Sequence, residues 1–262
     1  MEIDLMVKKT QTATAEISVP VINTQRGTLL IQGTTGLYYN RMSEKVKREL
    51  LIGGKRKTAA EKAVMLKHNP VVEYRDSLYR DDDFNSETCL FLPAVVVKNA
   101  MTTAAMITPG VTGADIRRLV SVVQDRIPIY GMPCLRMDVV KQAGIQGAPD
   151  IRTRAYLPRW GAEVEIEWIS PNLTKESITA LIHNAGLVSG LGDFRQEKGK
   201  GNFGKYEIVS KLTVESDKAA QFAELSADMP TLFDSETENL MRMFEESVPQ
   251  EKRQAAGLHA VS

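Results

Sequence analysis

The hydrophobic and polar positions of the chain follow two periods, which predict strands in some stretches and helices in others. The segment Glu163–Ile169 alternates apolar side chains with three glutamates, as in a strand with one buried and one solvated face. From Thr174 to Ala185 the apolar residues recur every three or four positions, which predicts an amphipathic helix that ends at Gly186. The same criteria predict strands over 16–22, 27–32, 150–156 and 206–214, a strand end followed by a helix over 90–106, and helices that begin near Ser43, Thr58, Thr112, Ser216 and Ser235.

The stretch between the first helices and residue 90 is polar. Asn69-Pro70 is expected to break a helix, and residues 71–88 are expected to form a solvated loop. Asp81, Asp82 and Asp83 stand in a row within it. Adjacent carboxylates in an irregular segment point in different directions, so we expect no metal site there, and no cofactor.

A glycine-rich stretch, Gly186–Val209, separates the helix after Thr174 from the last predicted strand. Glycines allow the backbone to approach a ligand closely, and successive amides with nearby lysines suit a phosphate. A mobile surface loop has the same composition, and the stretch alone does not decide between the two. The stretch holds six glycines, two aromatic residues and four bases: Phe194, Phe203, Arg195, Lys198, Lys200 and Lys205.

Composition narrows the function classes only slightly. The 262 residues carry 33 basic and 33 acidic side chains in total. Residues 41–57 contain seven bases and two acids, whereas residues 215–262 contain ten acids and four bases. Neutrality therefore hides a basic region and an acidic tail. The N-terminus lacks the apolar core of a signal peptide, and no run approaches the roughly 18 apolar residues of a membrane span. We expect a soluble cytoplasmic protein with two free thiols, at Cys89 and Cys134.

Within the glycine-rich stretch, Gly199–Gly204 spells G-x-G-x-x-G. A dinucleotide-binding fold needs this motif after a strand and before a helix, whereas here the order is reversed. A kinase needs a second lobe with further motifs, and the 58 residues after Gly204 contain none of them. Both interpretations are therefore rejected.

The order helix, glycine-rich basic loop, strand resembles the last α–β step of the RAMP superfamily, the RNA-binding subunits of CRISPR effector complexes. GTLLIQGTTGLYY resembles their opening strand and glycine-containing turn. LFLPAVVVKNAMTTAAM resembles their strand–Pro–helix segment, with Lys98 in the position of an early lysine. GAEVEIEWI corresponds to the third strand, and residues 137–158 to the thumb-like insertion of backbone-type members. The resemblance covers roughly residues 16–214.

This resemblance implies an α+β fold with a ferredoxin-like (RRM-type) antiparallel sheet, a glycine-rich loop before the last strand, a thumb-like insertion and a helical C-terminal extension. Residues 1–214 would form the RRM-like RAMP domain, with insertions at about 40–90 and 137–158, and 215–262 the acidic helical extension. The function implied is a non-catalytic subunit of a ribonucleoprotein for antiviral defence, which forms a filament along a single-stranded guide RNA with copies of itself and other subunits.

The candidate nucleic-acid contacts are mostly basic side chains, with aromatic rings that stack on bases. Phe194, Tyr38 and Tyr39 are further candidates for stacking. For Arg152 and Arg154, on one face of a strand, pairing with acids on the surface is an equal alternative. The binding residues predicted are Arg41, Lys45, Arg48, Lys98, Arg152, Arg154, Arg195, Lys198, Lys200, Phe203 and Lys205.

Departures from the family pattern bear on catalysis. Target-cleaving RAMP subunits carry an aspartate after the first strand, and the segment TTGLYYNRMSEK has none, so we expect no nuclease. RNA-processing members use a histidine base, and His68, His183 and His259 do not fall at the expected positions. The alternatives are a phage- or plasmid-type single-stranded DNA binding or annealing protein, and a RAMP endoribonuclease. The choice between RNA and DNA stays open.

Overall fold

The computed structural model describes residues 21–53, 66–81, 86–141, 147–198, 201–215 and 217–249. The strands of this part are β1 (Asn23–Gly33), β2 (Leu37–Tyr38), β3 (Phe91–Pro93), β4 (Val120–Val122), β5 (Arg126–Tyr130), β6 (Cys134–Lys141), β7 (Pro149–Leu157), β8 (Gly161–Ser170) and β9 (Tyr206–Val209). Its helices are α1 (Glu44–Ile52), α2 (Pro70–Ser77), α3 (Val95–Ala105), α4 (Gly113–Leu119), α5 (Lys175–Val188), α6 (Lys218–Ser226) and α7 (Ser235–Ser247), with a 3-10 turn over Gln196–Lys198.

The main sheet is antiparallel and has the strand order β3-β5-β8-β1-β9, with β4 also paired to β8. β1 lies between β8 and β9: its Leu29 is opposite Val164 of β8, and its Ile31 is opposite Ile208 of β9. The predicted mixture of helices with an antiparallel sheet is therefore confirmed.

One face of this sheet carries the hydrophobic core. Val164, Ile166 and Trp168 of β8 are buried as predicted, and they belong to the same core as Ile178 and Ile182 of α5. The helix after Thr174 is thus confirmed, and Thr174 caps it by accepting from the Ser177 amide. Alternate residues on the strands place their side chains on the opposite face of the sheet.

A second, three-stranded sheet has the order β2-β7-β6. It contains the β-rich insertion predicted over 137–158, although the hairpin begins earlier, at Cys134. Leu135, Ala155 and Leu157 are buried on one side of it and join the main core. The Ala155 amide donates to the Ser77 hydroxyl of α2, which fastens that helix to β7.

The C-terminal helices pack on the rest of the chain. Gln221 of α6 is fully buried, and its side chain accepts from the Thr88 hydroxyl and the Cys89 amide at 3.0 Å each. Its amide nitrogen donates to the Gly131 carbonyl at 2.8 Å. These contacts hold α6 against the body of the fold. The domain boundary at residue 214 stays a prediction.

Several predicted bounds in the first half are wrong. Residues 23–26, which lie between the strands predicted over 16–22 and 27–32, are part of β1, because the strand pairs with β8 from Asn23 onward. The solvated loop expected over 71–88 is wrong for its first residues, which belong to α2: Asn69 accepts from the Val72 amide, and Pro70 occupies the first turn. The helix begun by the Thr112 capping box is confirmed, but it ends at Leu119 because the next three residues pair with β8.

Smaller differences occur in the second half. α5 continues past Gly186 to Val188, and the last strand of the main sheet ends at Val209 rather than at 214. The cap of α7 is Asp234 rather than Ser235. Several predictions lie outside the described residues: residues 16–20 of the first predicted strand, the helix predicted from Thr58, and Asp82, Asp83, Lys200 and His259.

Candidate nucleic-acid interface

The glycine-rich loop is fastened to the turn that follows β1. The Gly204 amide donates to the Gly36 carbonyl at 2.8 Å, and the Thr34 amide donates to the Lys205 carbonyl at the same distance. The Asp193 amide donates to the Tyr38 carbonyl at 3.0 Å. Two glycine-containing segments that are far apart in the sequence therefore meet at one end of the main sheet.

Backbone packing within the loop requires glycine. Gly204 has φ 73°, and a Cβ there would overlap the carbonyl oxygen of Leu191. A Cβ at Gly201 would likewise overlap the carbonyl of Phe194. The described glycines of the loop thus permit close contact of backbone with backbone, which makes this part of the loop compact rather than an open cradle.

Next to the loop, two arginines of the second sheet are surrounded by aromatic rings. The Arg136 guanidinium lies 4.7 Å from the centroid of the Phe233 ring and 4.9 Å from that of Tyr156. The Arg154 guanidinium lies 4.5 Å from the centroids of both Tyr38 and Phe194. We call this group the arginine–aromatic cluster; its members are Tyr38, Arg136, Asp138, Arg154, Tyr156, Asp193, Phe194, Phe203 and Phe233.

Asp138 is the acceptor at the centre of this cluster. The Tyr38 hydroxyl donates to both of its oxygens, at 3.0 and 2.9 Å. Arg154 donates to Asp138 at 3.0 Å and to Asp193 of the glycine-rich loop at 2.9 Å. Burial, and then the Asp138 charge, raise the pKa of Tyr38 well above its usual value, so the phenol stays a donor. The cluster thereby binds the loop to β6 and β7.

Burial and packing bear on four of the residues predicted to contact nucleic acid. The Arg154 side chain is only 3% exposed and already holds two carboxylates. Phe203 is partly buried, with its ring edge-on to Tyr38 at 4.9 Å between centroids. Tyr38 and Tyr39 are buried, so the expectation that they stack on bases is wrong. We leave Arg154 out of the proposed contacts.

The predicted basic residues near the glycine-rich loop belong either to the loop itself or to α3. Lys205 is half-buried beside the turn after β1, and its amide donates to the Thr35 hydroxyl at 3.0 Å. Arg195 lies 3.5 Å from Glu197, and its buried Nε has no partner in the described structure. Lys98 is half-buried on α3, the helix that reaches the loop through a bond from Thr103 to Glu197 at 3.1 Å. Lys198 ends the 3-10 turn.

The other predicted bases lie near the second sheet. Arg41 pairs with Glu44 at the start of α1, and Lys45 and Arg48 are exposed on that helix. Arg41 and the exposed Arg152 line one cleft of 350 Å³ between α2, β7 and the segment before α1. The structure therefore places the candidate bases in two groups, one at the glycine-rich loop and one near the second sheet. Arg154 lies between them, because it lines the cleft and also holds the loop.

The solvent side of the main sheet is acidic. Register places Glu163, Glu165 and Glu167 of β8 on the face opposite the core, together with Glu207 of β9. Arg26 on the same face is paired with Glu167. A polyanion is repelled by such a face, which excludes the stacking surface that an RRM-type sheet commonly offers.

The described residues contain neither a cluster of metal-ligating side chains nor a membrane-spanning helix. No group of three or more His, Cys, Asp or Glu side chains there is placed to hold a metal ion. The helices of the same residues include none that is both long and apolar enough to span a bilayer. Cys89 and Cys134 are buried and are not joined in a disulfide, and burial raises the pKa of Cys134 to about 12.

Sequence reasoning missed Arg136. Its only signal is the register of the β6–β7 hairpin, which places it opposite Arg154, and that register is not readable from either strand alone. Asp138 and Asp193 were missed for the same reason, because their partners come from other segments.

No protein-family model matches the chain, and no curated protein sequence matches it. Among solved structures, Cmr6 from Pyrococcus furiosus aligns with 71% of this chain and 98% of its own, at 10% identity and a TM-score of 0.36. The Type III-B Cmr-beta complex bound to cognate target RNA provides a chain that aligns with 73% of this chain and 62% of its own, at 10% identity and a TM-score of 0.33. Neither likeness assigns the chain to a family at this level of identity and overlap.

Proposed function

We propose that this protein is a RAMP-type, non-catalytic subunit that binds the backbone of single-stranded RNA within a CRISPR-type ribonucleoprotein. In this proposal β1, α3, β4, β8, α5 and β9 are the successive elements of a ferredoxin-like domain. Their strand order, β9-β1-β8-β4 with every neighbour antiparallel, is the order that such a domain requires.

One observation carries the proposal: the glycine-rich loop between α5 and β9 is fixed against the turn after β1, with bases on either side of the contact. Arg195 and Lys205 flank Gly201 and Gly204, and the Arg195 Nε is a buried donor without a partner in the described chain. A phosphate oxygen supplies an acceptor for such a donor. The acidic face of the sheet supports the same placement of the RNA. It repels a polyanion and so leaves the loop as the more favourable path.

Assembly with copies of itself and with other subunits belongs to the proposal. α1 has no buried residue, and its Leu50, Leu51 and Ile52 are 70%, 85% and 78% exposed. Exposed apolar side chains next to one another are typical of a protein contact. A filament would use contacts between neighbouring copies along one strand of RNA.

The salt dependence of RNA binding tests the role of the loop. Lys205→Ala is compared with Lys211→Ala, a lysine-to-alanine change at an exposed position just after β9. Affinity for a single-stranded 20-mer is measured by fluorescence anisotropy at several salt concentrations. We expect Lys205→Ala to weaken binding to every sequence and to reduce the slope of log K against log salt by about 0.7, while Lys211→Ala leaves it unchanged. An unaltered slope for Lys205→Ala would refute the contact.

Two further measurements separate the alternatives. RNA and DNA of equal length compete for the wild-type protein, and we expect RNA to win because the 2′-OH distinguishes them. Preference for DNA would favour a single-stranded DNA binding or annealing protein. Labelled hairpin RNA should stay intact, and cleavage that His183→Ala or His68→Ala abolishes would show an endoribonuclease instead.

A further inference from the structure

The cleft of 350 Å³ beside β7 is built from three separate segments. Met42 and Val46 supply apolar surface from α1 and the segment before it, Asp76 comes from α2, and Arg152 and Thr153 come from β7. Met42 and Val46 are 50% and 41% exposed. Its volume is that of a small ligand site.

Polar groups of the cleft are left without partners. Thr153 is only 5% exposed, and its hydroxyl has no hydrogen-bond partner among the described atoms. Within the described chain, the exposed Arg152 guanidinium and the half-buried Asp76 carboxylate form no ion pair. Buried polar groups are seldom left unpaired, so a ligand is expected to satisfy the Thr153 hydroxyl, and Arg152 and Asp76 are accessible to the same ligand.

The unpaired groups are of opposite kinds. A bare phosphate would be served by donors alone, whereas the Asp76 carboxylate offers acceptors. The cleft therefore suits a ligand that has both an anionic end and N–H donors, with an apolar ring between them. A nucleotide has all three, since its phosphate suits Arg152, its base edge suits Asp76, and its ring suits Met42 and Val46.

We propose that this cleft binds a single nucleotide whose base is guanine. Guanine presents N1–H and N2–H side by side, so one carboxylate accepts two parallel bonds from it. Adenine, cytosine and uracil each lack this pair of adjacent donors. The nucleotide is either free or a residue turned out of a bound RNA strand; the second case rests on the proposed function.

The test measures base preference. Anisotropy gives the affinity of the full-length protein for a 20-mer of uridine and for the same 20-mer with one central guanosine. We expect the guanosine to tighten binding about tenfold, in line with one bidentate contact. Asp76→Asn should reduce that preference below about twofold, and Arg152→Ala should weaken binding of the guanosine-containing RNA. Asp125→Asn and Arg117→Ala make the same changes at exposed positions outside the cleft and should keep the preference.

A second arm uses guanosine monophosphate alone, measured by calorimetry against uridine monophosphate. Equal affinity for both RNAs together with equal affinity for both mononucleotides would overturn the inference, even if Lys205→Ala still weakened RNA binding. A preference that survives Asp76→Asn would also overturn it. If no RNA binds but guanosine monophosphate does so through Asp76, the proposed function fails and the cleft stands as a site for a free nucleotide.

Discussion

Asp138→Ala is the substitution that tests the arginine–aromatic cluster most directly. It removes the acceptor of the Tyr38 hydroxyl and one of the two carboxylates that hold Arg154. Tyr38 is 1% exposed and the Arg154 side chain 3% exposed, so water cannot readily replace Asp138.

The magnitude follows from these contacts. A buried hydroxyl without an acceptor costs about 1–3 kcal/mol, and a lost hydrogen bond to a charged group about 1.5–3 kcal/mol. Arg154 keeps Asp193 at 2.9 Å, and Asp138 itself is 21% exposed, both of which reduce the penalty. We expect the free energy of unfolding to fall by about 3 kcal/mol.

Equilibrium unfolding in urea, followed by the fluorescence of the buried Trp160 and Trp168, measures this loss. Asp125→Ala, at an exposed site, is the control and should change stability by less than about 0.5 kcal/mol. Tyr38→Phe alone should lower the free energy of unfolding by about 1 kcal/mol. In the Asp138→Ala background it should lower it by little or nothing, because the Tyr38 hydroxyl already lacks its acceptor there. Strict additivity, or a loss below about 1 kcal/mol for Asp138→Ala, would refute this account of the cluster.

Two other predictions concern backbone and pH. Gly204→Ala should lower stability by more than about 2 kcal/mol in urea unfolding, because its Cβ would overlap the Leu191 carbonyl. The control is Gly110→Ala, at φ 84° in open space, which should cost only about 1 kcal/mol. Similar losses for the two variants would contradict the packing argument. The Thr112 hydroxyl and amide hold the pKa of Asp115 below its usual value. The stabilisation of the fold by Asp115 is therefore present above about pH 4 and is lost as the pH falls through the folded pKa. Thermal melting should therefore depend less on pH between 5 and 2 in Asp115→Asn than in the wild type, and identical curves would contradict this.

The sequence predicted correctly those strands and helices whose conformation is determined by neighbouring residues. The alternation of Glu163–Ile169 and the Thr112 capping box each determine structure within a few residues, and both are present. The separation of the strands predicted over 16–22 and 27–32 failed because pairing with β8 makes residues 23–26 part of β1. The loop expected over 71–88 failed because Asn69-Pro70 either ends a helix or begins one, and only tertiary packing selects between these.

The candidate site was predictable to a smaller degree. The alternation of Arg152 and Arg154 was readable, but whether an arginine meets solvent or a carboxylate depends on partners from other segments. Arg154 was selected for its charge and is buried; Arg136 was missed because its four rings come from four separate stretches of chain. The glycines of the loop were noticed correctly, yet their packing partners, such as Gly36, are remote in sequence.

The position of β1 between β8 and β9 has a consequence for biosynthesis. This strand leaves the ribosome before either of its partners, which both come much later in the chain. At ~5–20 residues per second, the wait for β8 is on the order of ten seconds, during which both edges of β1 lack their native pairing. A nascent chain that stops short of Tyr206 would still leave one edge bare, with Leu30 and Ile31 on it. Completion of the sheet, and closure of the loop onto the turn after β1, therefore wait until β9 has been synthesised.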